Sequence, residues 1–268
     1  MQLSDCRVVL TGASGGIGLA LAEHLCASGA QVLAVSRTSK NYDQLLKAYP
    51  ERLHLVCADL LKREGRIAVT EAARKLGGVN LLLNAAGVNR FALLEQFDDD
   101  DIEQMLSLNV LATLQLTRGM LPILRNQPHG LIVNVGSIYG SIGYPGYAVY
   151  CASKFALRGF SEALRRELAD TSVNVLYVAP RATRTTMNSP AAMALSDALK
   201  SGIDEPQSVA QQVLRAISND FNELYLGWPE KLFVRLNSIF PNIVDHELRK
   251  QLPIIRRFTQ STKDESHL

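Results

Sequence analysis

Short apolar runs punctuate the first two thirds of the chain, at Val8–Leu10, Val32–Val35, Leu53–Cys57, Leu81–Leu83, Leu131–Val135 and Val173–Val178. Between them, Ile17–Ser28, Glu64–Leu76, Ile102–Leu124 and Ala152–Leu168 carry apolar residues at three- and four-residue spacing. Runs apolar on both sides read as strands buried on both faces, and the spaced segments as amphipathic helices. Their alternation predicts an α/β fold: a doubly wound parallel sheet (Rossmann fold) of about seven strands with helices on both faces. Such sheets bind ligands beyond the carboxyl ends of their strands, so the strand-end residues are where chemistry is expected.

The pattern weakens after residue 180. Arg181–Gly202 is rich in Ala, Thr, Ser and Met, and a stretch that long without clear periodicity predicts a substrate loop at about 181–204. A helix at about Pro206–Ser218 and a strand at about Glu223–Leu226 then complete a single catalytic domain, residues 1–226. Residues 227–268 form a helical extension. Leu232, Leu236, Ile239, Phe240 and Ile243 recur there at helical spacing, and Pro241 and Pro253 are expected to divide it into short helices. Residues 227–262 hold six basic and three acidic side chains. Such a stripe can cover the domain's own core or a partner copy. It can also lie on a membrane surface, here through residues 229–258.

Bulk properties narrow the picture only slightly. With 268 residues, 47% of them hydrophobic, the chain can bury one sizeable core. A net charge of +2 gives no reason to expect nucleic-acid binding. Cys6, Cys26, Cys57 and Cys151 make no Cys-x-x-Cys pair and no zinc spacing, so no metal is expected and the thiols read as reduced. Met1–Arg7 is too short and polar for a signal peptide, and no apolar run approaches the ~20 residues of a membrane span, which predicts a cytoplasmic, at most peripheral protein. The five histidines, at 24, 54, 129, 246 and 267, match no catalytic pattern.

The first strand runs into Thr11-Gly12-Ala13-Ser14-Gly15-Gly16-Ile17-Gly18, where a helix begins. Strand, glycine-rich turn, helix is the order a dinucleotide pyrophosphate needs. The glycines let the backbone approach the phosphates, and the helix N-terminus offers N–H donors. A plain tight turn would read similarly. Arg37 follows the second strand, nineteen residues after Gly18, where an acid would bind the ribose 2′-hydroxyl of NAD. A cation there favours the 2′-phosphate of NADP, against the alternative of a solvated surface arginine. Asp59, in Ala58-Asp59-Leu60, can accept from an adenine amino group or cap the next helix. The small residues of Asn84-Ala85-Ala86-Gly87 let a cofactor lie close to the chain, and the Asn84 side chain can tie adjacent strands.

The fifth strand ends in Asn134-Val135-Gly136-Ser137, and Tyr150 and Lys154 follow thirteen and seventeen residues after that serine. Four residues apart on a helix, Tyr150 and Lys154 share a face. A nearby ammonium favours phenolate and is expected to pull the tyrosine down from its usual pKa of ~10. Tyr150 can then exchange a proton with a carbonyl or alcohol oxygen that Ser137 holds by a hydrogen bond. Cys151 points elsewhere and is expected to pack.

Taken together, Thr11-Gly12-x-x-x-Gly16-Ile17-Gly18, Asp59, Asn84-Ala85-Ala86-Gly87, Asn109, Ser137, Tyr150-x-x-x-Lys154 and Pro180 resemble the short-chain dehydrogenase/reductase family across about residues 5–226. The resemblance implies an oxidoreductase that uses NADP(H) and moves a hydride between the nicotinamide and a carbonyl or secondary alcohol. Tyr150 would be its general acid/base, with Asn109, Ser137 and Lys154 completing the catalytic set. It implies that Asn109 bends a long helix and holds a relay water, and that Lys154 also binds ribose hydroxyls. The cofactor set then comprises Thr11, Gly12, Ser14, Gly16, Ile17, Gly18, Arg37, Asp59, Leu60, Asn84, Ala85, Gly87, Tyr150, Lys154, Pro180, Thr183 and Thr185.

The family assembles through its two long helices, here about Asp101–Arg125 and Val149–Ala169, which implies a homodimer or homotetramer. Two positions depart from the family. Pro180-Arg181 stands where Pro-Gly is common, putting a side chain beside the nicotinamide, and Gly136 stands where a second serine is frequent, at little expected cost. An NADP-binding regulator without turnover, or an isomerase or dehydratase on the same fold, remains the alternative. Tyr144, Tyr147 and the loop with Met187, Met193 and Leu195 are expected to line a pocket for a lipophilic or small carbonyl or alcohol substrate.

Overall fold

The computed structural model describes residues 1–39 and 41–265, with side chains followed to Gln260, so His267 lies outside the described residues. Seven parallel strands form one sheet: β1 (Arg7–Thr11), β2 (Gln31–Ser36), β3 (Leu53–Cys57), β4 (Leu81–Asn84), β5 (Gly130–Val135), β6 (Val173–Ala179) and β7 (Glu223–Tyr225). Their order is β3-β2-β1-β4-β5-β6-β7. The chain leaves β1 in one direction and returns on the other side at β4, so the crevice for a ligand opens past the ends of these two strands.

Side-chain alternation divides the core into two layers. Val8 and Leu10 pack in one apolar cluster with α1 (Gly16–Ala27) and α8 (Pro206–Ser218), while Val9 faces the opposite one. That second cluster is closed by α3 (Arg63–Lys75), α5 (Thr113–Arg125) and α6 (Ala148–Glu167). All six residues of β5 are buried, as expected of a central strand covered on both sides.

Several elements differ from the sequence expectation. A short helix, α2 (Asp43–Ala48), follows β2. The long helix expected over Ile102–Leu124 is α4 (Asp99–Leu106), a π-helical segment at Ser107–Ala112, and then α5. Asp98 starts it by accepting the Asp101 N–H at 2.7 Å. The substrate loop contains α7 (Pro190–Ala198), where the Ser189 hydroxyl accepts the Ala192 N–H at 3.2 Å and Pro190 takes the first turn.

The extension folds as α9 (Glu230–Ile239) and α10 (Pro241–Glu265). Pro241 opens α10, but Pro253 does not end it, contrary to the expected break. Proline removes one backbone hydrogen bond, yet tertiary packing holds both sides of it in line: Val244 is buried beside Ile142 and Val234, and Ile255 beside Phe91 and Tyr147. Among the described residues, no helix is long and apolar enough to cross a membrane.

Candidate active site

The phosphate turn leaves β1 through Gly12, which adopts a φ of +65°. A Cβ there would fall 2.7 Å from the Ala85 carbonyl oxygen, so only glycine admits this approach of the turn to the end of β4. Thr11 secures the same junction from below: its hydroxyl accepts the N–H groups of Ala85 and Ala86 at 3.1 and 3.2 Å. No side chain caps the start of α1, so its first N–H groups are not taken up by a cap. A Cβ on Gly16 would strike the Thr185 methyl at 2.5 Å, which shows how closely the loop after β6 lies over the turn.

One cavity of about 610 Å³ runs from this turn past Arg37, Asp59 and Leu60, across Ala85 and Gly87, to Ser137, Tyr150, Lys154, Pro180, Thr183 and Thr185. A long trough with glycines and a helix N-terminus at one end and titratable groups at the other fits a dinucleotide. Arg37 is exposed just beyond β2 and faces that trough. Asp59 accepts the Leu61 N–H at 3.0 Å, whereas α3 begins only after Lys62, so Asp59 holds the preceding turn rather than capping the helix.

Three expected site residues act from behind the cavity rather than lining it: Thr11, Asn84 and Asn109. The Asn84 amide is turned into the core, where it donates to Asn134 Oδ1 at 2.9 Å and to Thr117 Oγ1 at 3.1 Å. As the sequence suggested for this side chain, it ties β4 to β5, and to α5 as well. Asn109 sits in the π segment. Its Oδ1 accepts the Val88 N–H at 2.8 Å, and its Nδ2 donates to the Val88 carbonyl and to Ser153 Oγ, both at 3.0 Å. The π segment thereby lets a side chain on α4–α5 fix both backbone groups of the residue after Gly87.

Ser137 ends β5, and Tyr150 and Lys154 lie one turn apart on α6, all three buried. The Ser137 hydroxyl lies beside the Tyr150 phenol and favours its ionised form. The same hydroxyl accepts the Tyr139 N–H at 3.1 Å. Lys154 donates to the Val135 carbonyl at 3.1 Å and stands 5.5 Å from the centre of the Tyr150 ring. The expected lowering of the tyrosine does not appear in the chain alone. Burial pushes the Tyr150 phenol up to about 12, against the opposing pull of the Ser137 hydrogen bond. Burial also pulls the Lys154 ammonium down to about 8. Removing both groups from water favours their neutral forms more than they favour each other's charge.

Sequence reasoning missed Tyr177, a buried tyrosine on β6. Its hydroxyl donates to the Ser137 carbonyl at 3.1 Å and accepts the Ser137 N–H at 3.5 Å. A Cβ on Gly136 would fall 2.3 Å from the Tyr177 ring, so the glycine is required by this neighbour, contrary to the expectation that it costs little. The one available signal was a polar aromatic inside the apolar run Val173–Val178, since a buried phenol needs a partner.

Arg181 also behaves differently from the expectation. Its Nη2 pairs with Asp204 at 2.8 Å, and its Nη1 pairs with Glu230 at the start of α9 at 3.3 Å. The side chain borders the cavity, yet its charge is spent on joining the loop to the extension. Tyr147, Met187 and Met193 line the cavity as expected. Tyr144 instead donates to Gln251 on α10 at 3.0 Å, and Leu195 is buried in the cluster with Ile255. Cys151 is buried in that cluster too, which is packing, as expected.

Known proteins match this chain at these elements. The profile described as short chain dehydrogenase matches residues 7–195. Carbonyl reductase family member 4 of Xenopus laevis is 34% identical over 215 residues, 78% of this chain and 90% of the relative. The 3-oxoacyl-[acyl-carrier-protein] reductase of Escherichia coli is 35% identical over 207 residues, 76% of this chain and 82% of the relative. A short chain dehydrogenase from Burkholderia cenocepacia, solved in complex with NADP, superposes with a TM-score of 0.78 at 27% identity, covering 92% of this chain and 99% of its own.

Proposed function

The chain belongs to the short-chain dehydrogenase/reductase family, and from that footing we propose that it is an NADP(H)-dependent carbonyl reductase or alcohol dehydrogenase. One observation carries this reading: Ser137, Tyr150 and Lys154 converge at one end of the cavity whose other end is the glycine turn and Arg37. When bound, the nicotinamide supplies or takes up the hydride at its C4.

The chain's own residues do the rest. Tyr150, held neutral by burial, is a proton donor across the neutral range and gives its phenolic proton to the carbonyl oxygen as the hydride reaches the carbonyl carbon. Ser137 holds that oxygen by a hydrogen bond. Lys154 stands close enough to stabilise the phenolate that results, and it fits the ribose hydroxyls. Asn109 fixes the backbone at Val88, beside Gly87 and the Lys154 ammonium. Tyr150 regains its proton from solvent, so the sum is carbonyl, hydride and proton giving alcohol.

The preference for NADP rests on Arg37, a cation at the end of β2 where the sequence has no acid. The pocket beyond the catalytic set includes Tyr139, Tyr147, Met187 and Met193, which suits a lipophilic carbonyl compound. Exposed Leu111 and Phe155, on the π segment and α6, support assembly through the long helices. Four unpaired thiols support a reducing compartment such as the cytoplasm. The test is Tyr150→Phe assayed on a panel of carbonyl compounds at the nicotinamide absorbance. Turnover should fall about 10²–10⁴-fold while NADPH still binds; full activity in this variant would overturn the reading.

A further inference from the structure

Half of the large apolar side chains that face water among the described residues lie in one short stretch: Trp228, Leu232, Phe233, Ile239, Phe240, Ile243 and Ile254. Trp228 is 72% exposed and Ile239 68%. They are not scattered singly. Leu232 and Ile239 are seven residues apart on α9, and Ile243 and Ile254 are eleven apart on α10, spacings that place each pair on one helix face, while Phe240 caps the end of α9 between the two helices. The helices are already anchored by the opposite side. Val234 and Val244 pack with Ile142, Asn237 donates to the Ser141 carbonyl at 3.0 Å, and Ile255 is fully buried. The outward face is therefore surplus to the fold, and contiguous exposed apolar area of this kind marks an interaction surface.

Its charge says what it meets. Residues 227–260 carry six basic and three acidic side chains, and two of the acids are engaged, Glu230 with Arg181 and Glu247 with Lys250. Lys231, Arg235, Arg249, Arg256 and Arg257 are all exposed. A two-fold contact with a second copy would set this cationic face against itself, whereas an anionic surface would attract it. Tryptophan, phenylalanine and isoleucine flanked by lysine and arginine are what a helix buries at the headgroup level of a bilayer.

We propose that the outer face of α9 and the first half of α10 docks on an anionic lipid bilayer surface. Trp228, Phe233, Ile239 and Phe240 enter the headgroup layer, and Lys231 and Arg235 lie against lipid phosphates. The docking is independent of the hydride-transfer reading. It would hold the catalytic pocket at the surface, because the inner face of α10 packs against Tyr147 and Tyr150.

The experiment is co-sedimentation of the full chain with vesicles of phosphatidylcholine alone and of phosphatidylcholine with about three parts in ten phosphatidylserine, at low and high salt. Binding should require the anionic lipid and fall at high salt. K231E/R235E should weaken it at least about tenfold, since each surface cation contributes several-fold. F233S/F240S should weaken it comparably, while melting temperature and NADPH affinity stay at the parent values. Absence of sedimentation with anionic vesicles overturns the proposal, and so does vesicle binding indifferent to both variants. The same substitutions turning a dimer into a monomer, with no vesicle binding by the parent, would assign the face to a second copy instead. NADPH turnover of a water-soluble carbonyl, measured separately, keeps failure of docking distinct from failure of catalysis.

Discussion

The Tyr177 hydroxyl grips Ser137 by its backbone, donating to the carbonyl at 3.1 Å and accepting the N–H at 3.5 Å, and the ring fills the space a side chain at position 136 would need. Tyr177 is thus a positioning residue for Ser137. Tyr177→Phe leaves the Ser137 N–H without its partner, while the Ser137 carbonyl keeps the Gly140 N–H at 2.9 Å, a cost of about 1–3 kcal/mol for one buried polar group. It is expected to lower kcat several-fold with KM little changed, read by steady-state kinetics and melting temperature. Gly136→Ser should destabilise by about 1–3 kcal/mol through overpacking, and Tyr177→Ala should partly restore it. Additive losses in the double variant would refute the coupling.

Lys154 is expected to set the pH behaviour of the proposed reaction. Its folded value of about 8 lies below the ordinary lysine range, so it is charged below pH 8 and neutral above. Tyr150, at about 12, stays protonated through that interval. Carbonyl reduction, as kcat/KM for NADPH, should be level below pH 8 and fall above it, because that ratio reports groups of the free protein. A profile flat to pH 10 would contradict this assignment.

The same burial makes Lys154 a cost to stability. A lowered folded value means the folded state resists protonation. The penalty is therefore complete below pH 8 and vanishes as pH rises past the unfolded lysine value of about 10.5. Lys154→Met should abolish turnover and raise stability at pH 7, by up to roughly 3 kcal/mol for a shift of this size. The gain should shrink on titration toward pH 10. Denaturant melts at two pH values check the sign.

Arg37→Asp should reverse cofactor preference. Losing a charge-assisted contact to a 2′-phosphate costs about 1.5–3 kcal/mol, roughly 10–100-fold in NADPH affinity, and the new carboxylate suits the 2′-hydroxyl of NAD. Unchanged selectivity for NADPH over NADH would show that Arg37 is only a solvated residue.

Arg181→Gly restores the residue common in the family but removes the clasp between the loop after β6, Asp204 and Glu230. Both carboxylates are less than one fifth exposed, so leaving them unpaired should destabilise by about 1–3 kcal/mol. Residues 183–202 should become sensitive to limited proteolysis, and KM for the carbonyl substrate should rise more than kcat falls. Parent-like proteolysis would mean that the clasp does not hold the loop.

The sequence alone determined the sheet, since Val8–Leu10 and the five runs after it are too apolar to be anything but buried strands. It also placed the candidate site, because Gly12–Gly18, Ser137 and Tyr150–Lys154 border one cavity from positions set by local spacing: a turn, a strand end, one helix face. Residues whose role depends on a neighbour far along the chain were not legible. Tyr177 meets Ser137 forty residues away, and Arg181 meets Glu230 forty-nine away. The ionisation of Tyr150 and Lys154 belonged to the tertiary structure as well. Spacing along a helix brings Tyr150 and Lys154 together, but how much water surrounds them depends on everything packed around α6, and here burial outweighs their mutual attraction.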